Sequence, residues 1–168
     1  MTDEQSNLWE KIKNFRIDDP ESDFTFTDRL ARENSWSIEF ASRAVHEYKK
    51  FMFLICVAQH PLTPSDQVDQ VWHLHLLYTQ SYWNDFCQNI LGKEIHHGPT
   101  KGGQQEKDKY ADLYGMTKSL YQEKFGYSPP EDIWPRHAIR FGEINFTRVN
   151  LHRNFIIPKP RFLKKWKF

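Results

Sequence analysis

The chain has 168 residues with 39% hydrophobic and 27% charged side chains, a composition typical of one folded domain. Its longest apolar run, residues 51–58, is far shorter than the roughly 18 residues that a membrane span needs. The N-terminus is acidic and polar, unlike a secretory signal, and Cys56 and Cys87 make no disulfide framework. We therefore expect a cytoplasmic protein without a membrane span, with both thiols reduced.

Apolar spacing predicts a mainly α fold, a single-domain bundle of four to five helices. A short first helix opens the domain, and a brief second helix is predicted to begin at Thr27 or Asp28. A third helix, capped by Ser35 or Ser37, becomes apolar on all sides toward its end. We expect this helix, over residues 38–59, to be the most buried.

The fourth helix is predicted to start with Thr63 as its N-cap and Pro64 at the first helical position. It runs to Gly92, and after a loop a long helix ends at Gly126. Beyond that point prolines break the chain, so we expect an extended C-terminal segment with a short strand within residues 146–151.

Charge is distributed unevenly along the chain, although the formal net charge is only +1. Residues 135–168 contain nine Lys and Arg against the single carboxylate of Glu143, a net charge of +8, which leaves residues 1–134 at −7. We expect a helical domain over residues 1–134 and a basic, extended segment over 135–168 that packs on the same domain. Such a segment can alternatively contact a protein partner or a nucleic acid.

The fourth helix carries the sequence VDQVWHLH, and two more histidines follow on the loop. Helical geometry separates His73 from His75 by about 200°, so a regular helix cannot offer both to one ion. Asp69 and His73, one turn apart, share a face, which suits two ligands of one ion, a carboxylate that orients an imidazole, or a simple ion pair. If the loop folded back, His96 or His97 would complete three ligands with an open position, as in catalytic zinc sites. One hypothesis is therefore a zinc-like, metal-dependent hydrolase.

In that hypothesis His75 and Tyr82 are candidate catalytic residues that orient the substrate. The interpretation that we favour is that His75, beside Trp72 in the apolar stripe, is a hydrogen-bonded core residue and the protein is a binding or interaction module, with the hydrolase as the alternative. On either hypothesis we expect Trp72 and His75 to be largely buried. Cys87 is predicted to be either a small buried apolar residue or, if the helix breaks near Thr79, a neighbour of the histidines.

A glycine-rich loop, GPTKGG, precedes the long helix. Lys101, Gly102 and Gly103 are candidate anion-binding residues, because glycines allow close backbone approach and a helix N-terminus offers unpaired N–H groups. The order of residues differs from that of a nucleotide-binding P-loop, so a flexible loop is the alternative interpretation.

The stretch from Pro64 to Gly103, with VDQVWHLHLLYTQSYWNDFC and HHGPTKGG, resembles the glycine-rich domain-containing protein-like family. The likeness covers roughly residues 36–160, without the glycine-rich extension that names the family. The family's Trp-His-x-His core and its downstream Tyr and Cys fall on Trp72, His73, His75, Tyr82 and Cys87. The resemblance implies that these residues form a unit, and it implies no particular activity or cofactor.

Overall fold

A computed structural model describes residues 1–98, 104–142, 149 and 152–157, with only the backbone for residues 104–108. The candidate anion-binding residues Lys101, Gly102 and Gly103 lie outside the described residues. The predicted strand also lies outside them, except for residue 149, which is not in a strand.

Helices make up all the regular secondary structure of the described residues, which confirms the mainly α fold. They are α1 (Asp3–Asn14), α2 (Phe26–Asn34), α3 (Ile38–Val57), α4 (Asp66–Leu77), a π-helix (Gln80–Leu91), α5 (Gln104–Phe125) and α6 (His137–Arg140). These seven segments exceed the four or five predicted, because the histidine-bearing helix is divided in two and the short α6 follows α5. Within this part of the chain, no helix is both long and apolar enough to cross a membrane.

Side-chain caps set where α2 and α3 begin. Ser37 caps α3, one of the two residues predicted for that position. The cap of α2 is Thr25 rather than Thr27 or Asp28, and the Asp28 carboxylate accepts the Thr25 backbone N–H in return. The two residues form a capping box, which satisfies backbone donors at both positions. The cap of the helix therefore lies two residues before Thr27 and three before Asp28.

The start of α4 also differs from the prediction. Ser65, not Thr63, caps this helix, and its hydroxyl accepts the backbone N–H of Val68 at 3.2 Å. Thr63 is instead held outside the helix, because its backbone N–H donates to the Thr117 hydroxyl of α5 at 3.0 Å. A tertiary contact thus outweighs the start signal that Thr63 and Pro64 give in the sequence.

Helix α3 lies at the centre of the molecule and packs against α1, α2, α4 and α5. More of its residues are buried than in any other described helix, as predicted for residues 38–59. Two of the buried side chains are charged: Lys50 donates to Glu47 and to the Tyr121 hydroxyl of α5, each at 2.7 Å. Glu47 also accepts from the indole nitrogen of Trp134 at 2.9 Å. This buried ion pair joins α3 to α5 and to the chain beyond α5.

A break separates α4 from the π-helix at Tyr78, whose backbone leaves the helical region. The π-helix, with its wider i to i+5 hydrogen bonding, is a rare element that concentrates near functional sites. It ends at Gly92, which adopts the left-handed backbone conformation with φ of 67°. The chain then turns back toward α4, so the break and the π-helix together determine where the following histidines lie.

The described start of the basic segment contacts the body of the molecule. Arg140 of α6 donates to the Pro64 carbonyl at 3.1 Å and to the Asp66 carboxylate at 2.6 Å. Residues 155–157, by contrast, are exposed. Packing of the basic segment as a whole on the helical domain stays a prediction.

Candidate metal centre

Two of the predicted ligands, Asp69 and His73, lie one turn apart on the outer face of α4. The distance between Asp69 Oδ2 and His73 Nε2 is 3.8 Å. Asp69 is largely covered, with 19% of its side chain exposed, whereas His73 is 49% exposed. The face is thus partly shielded from water on the Asp69 side and open on the His73 side.

The third side chain of the cluster is His97, which follows the π-helix. Its Nε2 lies 2.8 Å from Asp69 Oδ1, and its ring centre lies 4.5 Å from that of His73. One ligand atom from each of the three residues lies within 4.8 Å of the others. The loop therefore folds back over the α4 face, in the way that the metal-site hypothesis requires.

His96, the other candidate from the loop, does not join this cluster. Its Nε2 lies 3.5 Å from the carboxylate of Glu94, and its ring packs 5.3 Å from that of Trp83. Of the two adjacent histidines only His97, with 19% of its side chain exposed, lies against α4. With 74% of its side chain exposed, His96 faces the solvent.

Two imidazole nitrogens and one carboxylate oxygen make a ligand set that suits Zn²⁺ and neighbouring divalent transition metals. Tetrahedral coordination at about 2.0–2.2 Å places ligand atoms roughly 3.3 Å apart. His97 Nε2 already lies 2.8 Å from Asp69 Oδ1, whereas His73 Nε2 lies 3.8 Å from Asp69 Oδ2, so a bound ion would mainly require the half-exposed His73 side chain to rotate inward. Three protein ligands would leave a coordination position on the open side.

The loop that carries His97 is attached to the core by a hydrogen-bonded tyrosine. The Tyr82 hydroxyl donates to the backbone carbonyl of Ile95 and accepts from the indole nitrogen of Trp72 at 2.9 Å. Burial raises the pKa of Tyr82 well above its usual value, so the hydroxyl keeps its proton. Cys87 is also buried, as predicted, against the same tyrosine.

His75 lies in the core, on the opposite side of α4 from the cluster, and the predicted burial of both Trp72 and His75 is confirmed. Its Nδ1 lies 2.9 Å from the Tyr48 hydroxyl and its Nε2 3.2 Å from the Ser81 hydroxyl. Desolvation, with a smaller contribution from the charge of Lys49, lowers the pKa of His75 to about 3. A neutral imidazole with both nitrogens hydrogen-bonded fits a structural role.

The two candidate catalytic residues, His75 and Tyr82, have fully buried side chains. Neither reaches the solvent-facing side of the cluster, so substrate contact by either is not supported by this geometry. Tyr48 and Ser81 were not predicted from the sequence as partners of His75. Tyr48 lies in the apolar stripe of α3, and Ser81 comes close only because the helix breaks after Leu77, so neither pairing leaves a signal in residue spacing.

The fold and site define a mainly α module in which a Trp-His-x-His motif, a tyrosine and a cysteine pack together. The chain belongs to the UCP032817-like family, whose model matches residues 17–125. It is similar to two proteins of Arabidopsis thaliana, which supports the resemblance noted in the sequence. No solved structure matches the chain.

The first of these relatives is Glycine-rich domain-containing protein 1, with 28% identity over 106 residues, which covers 60% of this chain and 13% of that protein. The second is Glycine-rich domain-containing protein 2, with 30% identity over 98 residues, covering 52% of this chain and 12% of that protein. The chain therefore spans about an eighth of the length of these relatives, and any activity of the whole proteins is a separate question.

Proposed function

We propose that this chain is a helical module that binds a divalent transition-metal ion of the Zn²⁺ class through Asp69, His73 and His97. The observation that carries the proposal is the return of His97, 28 residues along the chain, to within 2.8 Å of Asp69. A carboxylate and two imidazoles from two separate segments thereby share one face, and this ligand chemistry is the one that zinc prefers.

The second histidine of the motif, His75, has a structural role in this proposal. Its burial and its bonds to Tyr48 and Ser81 support the interpretation that the motif serves the core on one side of α4. The opposite side of the same helix carries the metal ligands. The proposal therefore takes one element from each hypothesis drawn from the sequence: His73 binds the metal, and His75 stabilises the core.

Titration of EDTA-treated protein with Zn²⁺ by calorimetry tests the proposal. We expect one ion per chain, and a rise in the thermal midpoint when Zn²⁺ is in excess, because a ligand at 100 times its Kd stabilises the folded state by about 2.7 kcal/mol. His97→Ala should abolish both effects, whereas His96→Ala, the adjacent exposed histidine, should keep them. Equal affinities in wild type and His97→Ala would show that the ligand set is wrong.

A second candidate function is metal-dependent hydrolysis, and the count of three protein ligands favours it. An exchangeable position on the exposed His73 side would let the metal bind and activate a water molecule. Zn²⁺-loaded protein should then hydrolyse activated esters or phosphodiesters, with His97→Ala as the matched blank. A rate equal to that of the blank would leave metal binding without hydrolysis.

Association and location rest on the sequence. The net charge of +8 over residues 135–168 supports contact of this segment with the acidic body, or with an anionic partner such as a nucleic acid or a protein. A cytoplasmic location is likewise a proposal, from composition.

A further inference from the structure

We infer that Trp72 and Tyr82 are positioning residues for the metal centre, which act through the backbone of Ile95 to hold His97 against Asp69. The inference rests on the proposed metal function and assigns a task to motif residues that are not ligands themselves.

The first step is the attachment of the loop at Ile95. Tyr82 is fully buried, and its hydroxyl has two partners: it accepts from the Trp72 indole N–H at 2.9 Å and donates to the carbonyl of Ile95. Ile95 stands two residues before His97, and its own side chain is buried. The side chains of Ile95 and His97 are both covered, whereas that of His96 between them is 74% exposed, so fixing Ile95 on the core also turns His97 toward α4.

The second step is the contact of Trp72 with the ligand ring. The Trp72 and His97 ring centres lie 4.4 Å apart with an angle of 71° between their planes, an edge-to-face arrangement. Trp72 therefore contacts the loop twice, through Tyr82 at the backbone and through its ring at the imidazole. Helix α4 thus carries two ligands, Asp69 and His73, together with the residue that orients the third.

Cys87 adds a third contact to the same place. Burial raises the pKa of its thiol, and the Ile95 backbone and the Tyr82 hydroxyl partly offset that rise. The Trp, Tyr and Cys of the motif thus converge on Ile95. These contacts to Ile95 and His97 order the loop before any ion binds, so metal binding does not have to supply the free energy of ordering the loop.

Removal of the hydrogen bond from Tyr82 to Ile95 should weaken metal binding, although all three ligand residues remain in the chain. Groups that orient metal ligands typically change affinity by roughly 10- to 100-fold when they are replaced. We therefore expect Tyr82→Phe to raise the Kd for Co²⁺, a spectroscopic substitute for Zn²⁺, by roughly 10- to 100-fold. Its visible absorption at saturating metal should also change, because the geometry of the His97 ligand changes.

Tyr48→Phe is the matched control. Tyr48 is also fully buried, and its hydroxyl bonds to a side chain, but that side chain is His75, which is not a ligand. Both variants remove one oxygen from the core, and we expect both to lower the thermal midpoint. Only Tyr82→Phe should change the Co²⁺ affinity and spectrum, which separates positioning from a general loss of stability.

The outcomes distinguish this inference from the proposed function. If wild type binds Co²⁺, His97→Ala does not, and Tyr82→Phe matches wild type in Kd and spectrum, the positioning role is wrong and the metal site stands. If wild type binds neither Co²⁺ nor Zn²⁺, the proposed function fails together with the inference. Should Tyr82→Phe not fold, Trp72→Phe decides, since it deletes the indole N–H link to Tyr82 and shrinks the ring that contacts His97. Unchanged affinity in that variant would overturn the role.

Discussion

At the scale of single residues, burial of His75 couples the stability of the fold to pH. Its imidazole has a pKa of about 3 in the folded protein, whereas imidazole in an unfolded chain titrates near 6.5. Between these values the unfolded state binds a proton that the folded state does not. The stability that comes from neutral His75 is therefore complete above about pH 6.5 and is lost as the pH falls toward 3.

We expect this group alone to reduce the free energy of unfolding by up to about 1.4 kcal/mol per pH unit within that window. His75→Gln should be less stable than wild type at neutral pH but should lose less stability on acidification. Urea denaturation at about pH 7 and about pH 5 in EDTA measures the difference. His96→Gln, at an exposed site, serves as control and should follow wild type. Parallel pH profiles of wild type and His75→Gln would contradict the account.

The candidate site was predictable in part at this scale. Asp69 and His73 follow from helical spacing, because residues four apart share a face. The choice between His96 and His97 does not, since it depends on which side of the loop faces α4. That side is set by the bond between Tyr82 and Ile95, a contact between distant residues that leaves no periodic signal.

At the scale of elements, the sequence predicted helices best where one local signal sufficed. Ser37 begins α3, and the left-handed glycines Gly92 and Gly126 end the π-helix and α5 where predicted. The sequence indicates a break near Thr79 only as an alternative, because the polar stretch Thr79, Gln80 and Ser81 can also lie on the exposed side of one continuous helix. Bonds from Ser81 and Tyr82 back to α4 accompany the break, and these tertiary contacts cannot be derived from spacing.

The buried ion pair of α3 allows a test of how the elements are joined. Glu47 accepts from Lys50, Tyr121 and Trp134, so its loss removes the acceptor shared by three elements. We expect Glu47→Ala to lower the free energy of unfolding by about 3–5 kcal/mol, because Lys50 is left buried without its counter-charge. Urea denaturation provides the measurement. Glu39→Ala, on the exposed part of the same helix, is the control and should cost little.

A double variant separates charge from packing in this network. Glu47→Gln combined with Lys50→Met removes both charges and keeps similar volumes, so it should recover much of the stability that Glu47→Gln alone loses. If the double variant is as unstable as the sum of the single ones, the pair does not act as a unit. The sequence offers a faint signal for it, since Glu47 and Lys50 stand three residues apart on the helix face that also carries Ala44, Phe51 and Leu54.

At the scale of the whole molecule, the distribution of charge is the main feature that the helical fold leaves without a role. The described beginning of the basic segment makes an ion pair with the body through Arg140 and Asp66. We propose that the remaining cations extend this attraction. Exposed charges attract weakly and are screened by salt within about 10 Å at 0.1 M ionic strength, so the effect should depend strongly on salt.

Neutralising the five cations of residues 158–168 tests this proposal. The substitutions are Lys159→Gln, Arg161→Gln, Lys164→Gln, Lys165→Gln and Lys167→Gln. Because the attraction to the body of charge −7 would be lost, we expect the thermal midpoint to fall at about 20 mM salt and to match wild type at about 500 mM. Exchange of Lys and Arg at the same five positions preserves the charge and should leave the midpoint unchanged at both salt concentrations.

The same variants decide between the body and an external partner. An unchanged midpoint at low salt would rule out docking on the body. Loss of single-stranded oligonucleotide binding by the neutralised variant, when the charge-preserving variant keeps it, would assign the segment to nucleic acid. The logarithm of the affinity should then fall linearly with the logarithm of the salt concentration. The slope is proportional to the number of phosphates contacted, since each contact releases a counterion. If the segment docks on its own body, the neutralised variant should instead have a lower thermal midpoint at low salt and the same oligonucleotide binding as the charge-preserving variant. The reason is that the cations of the segment are already neutralised within the molecule.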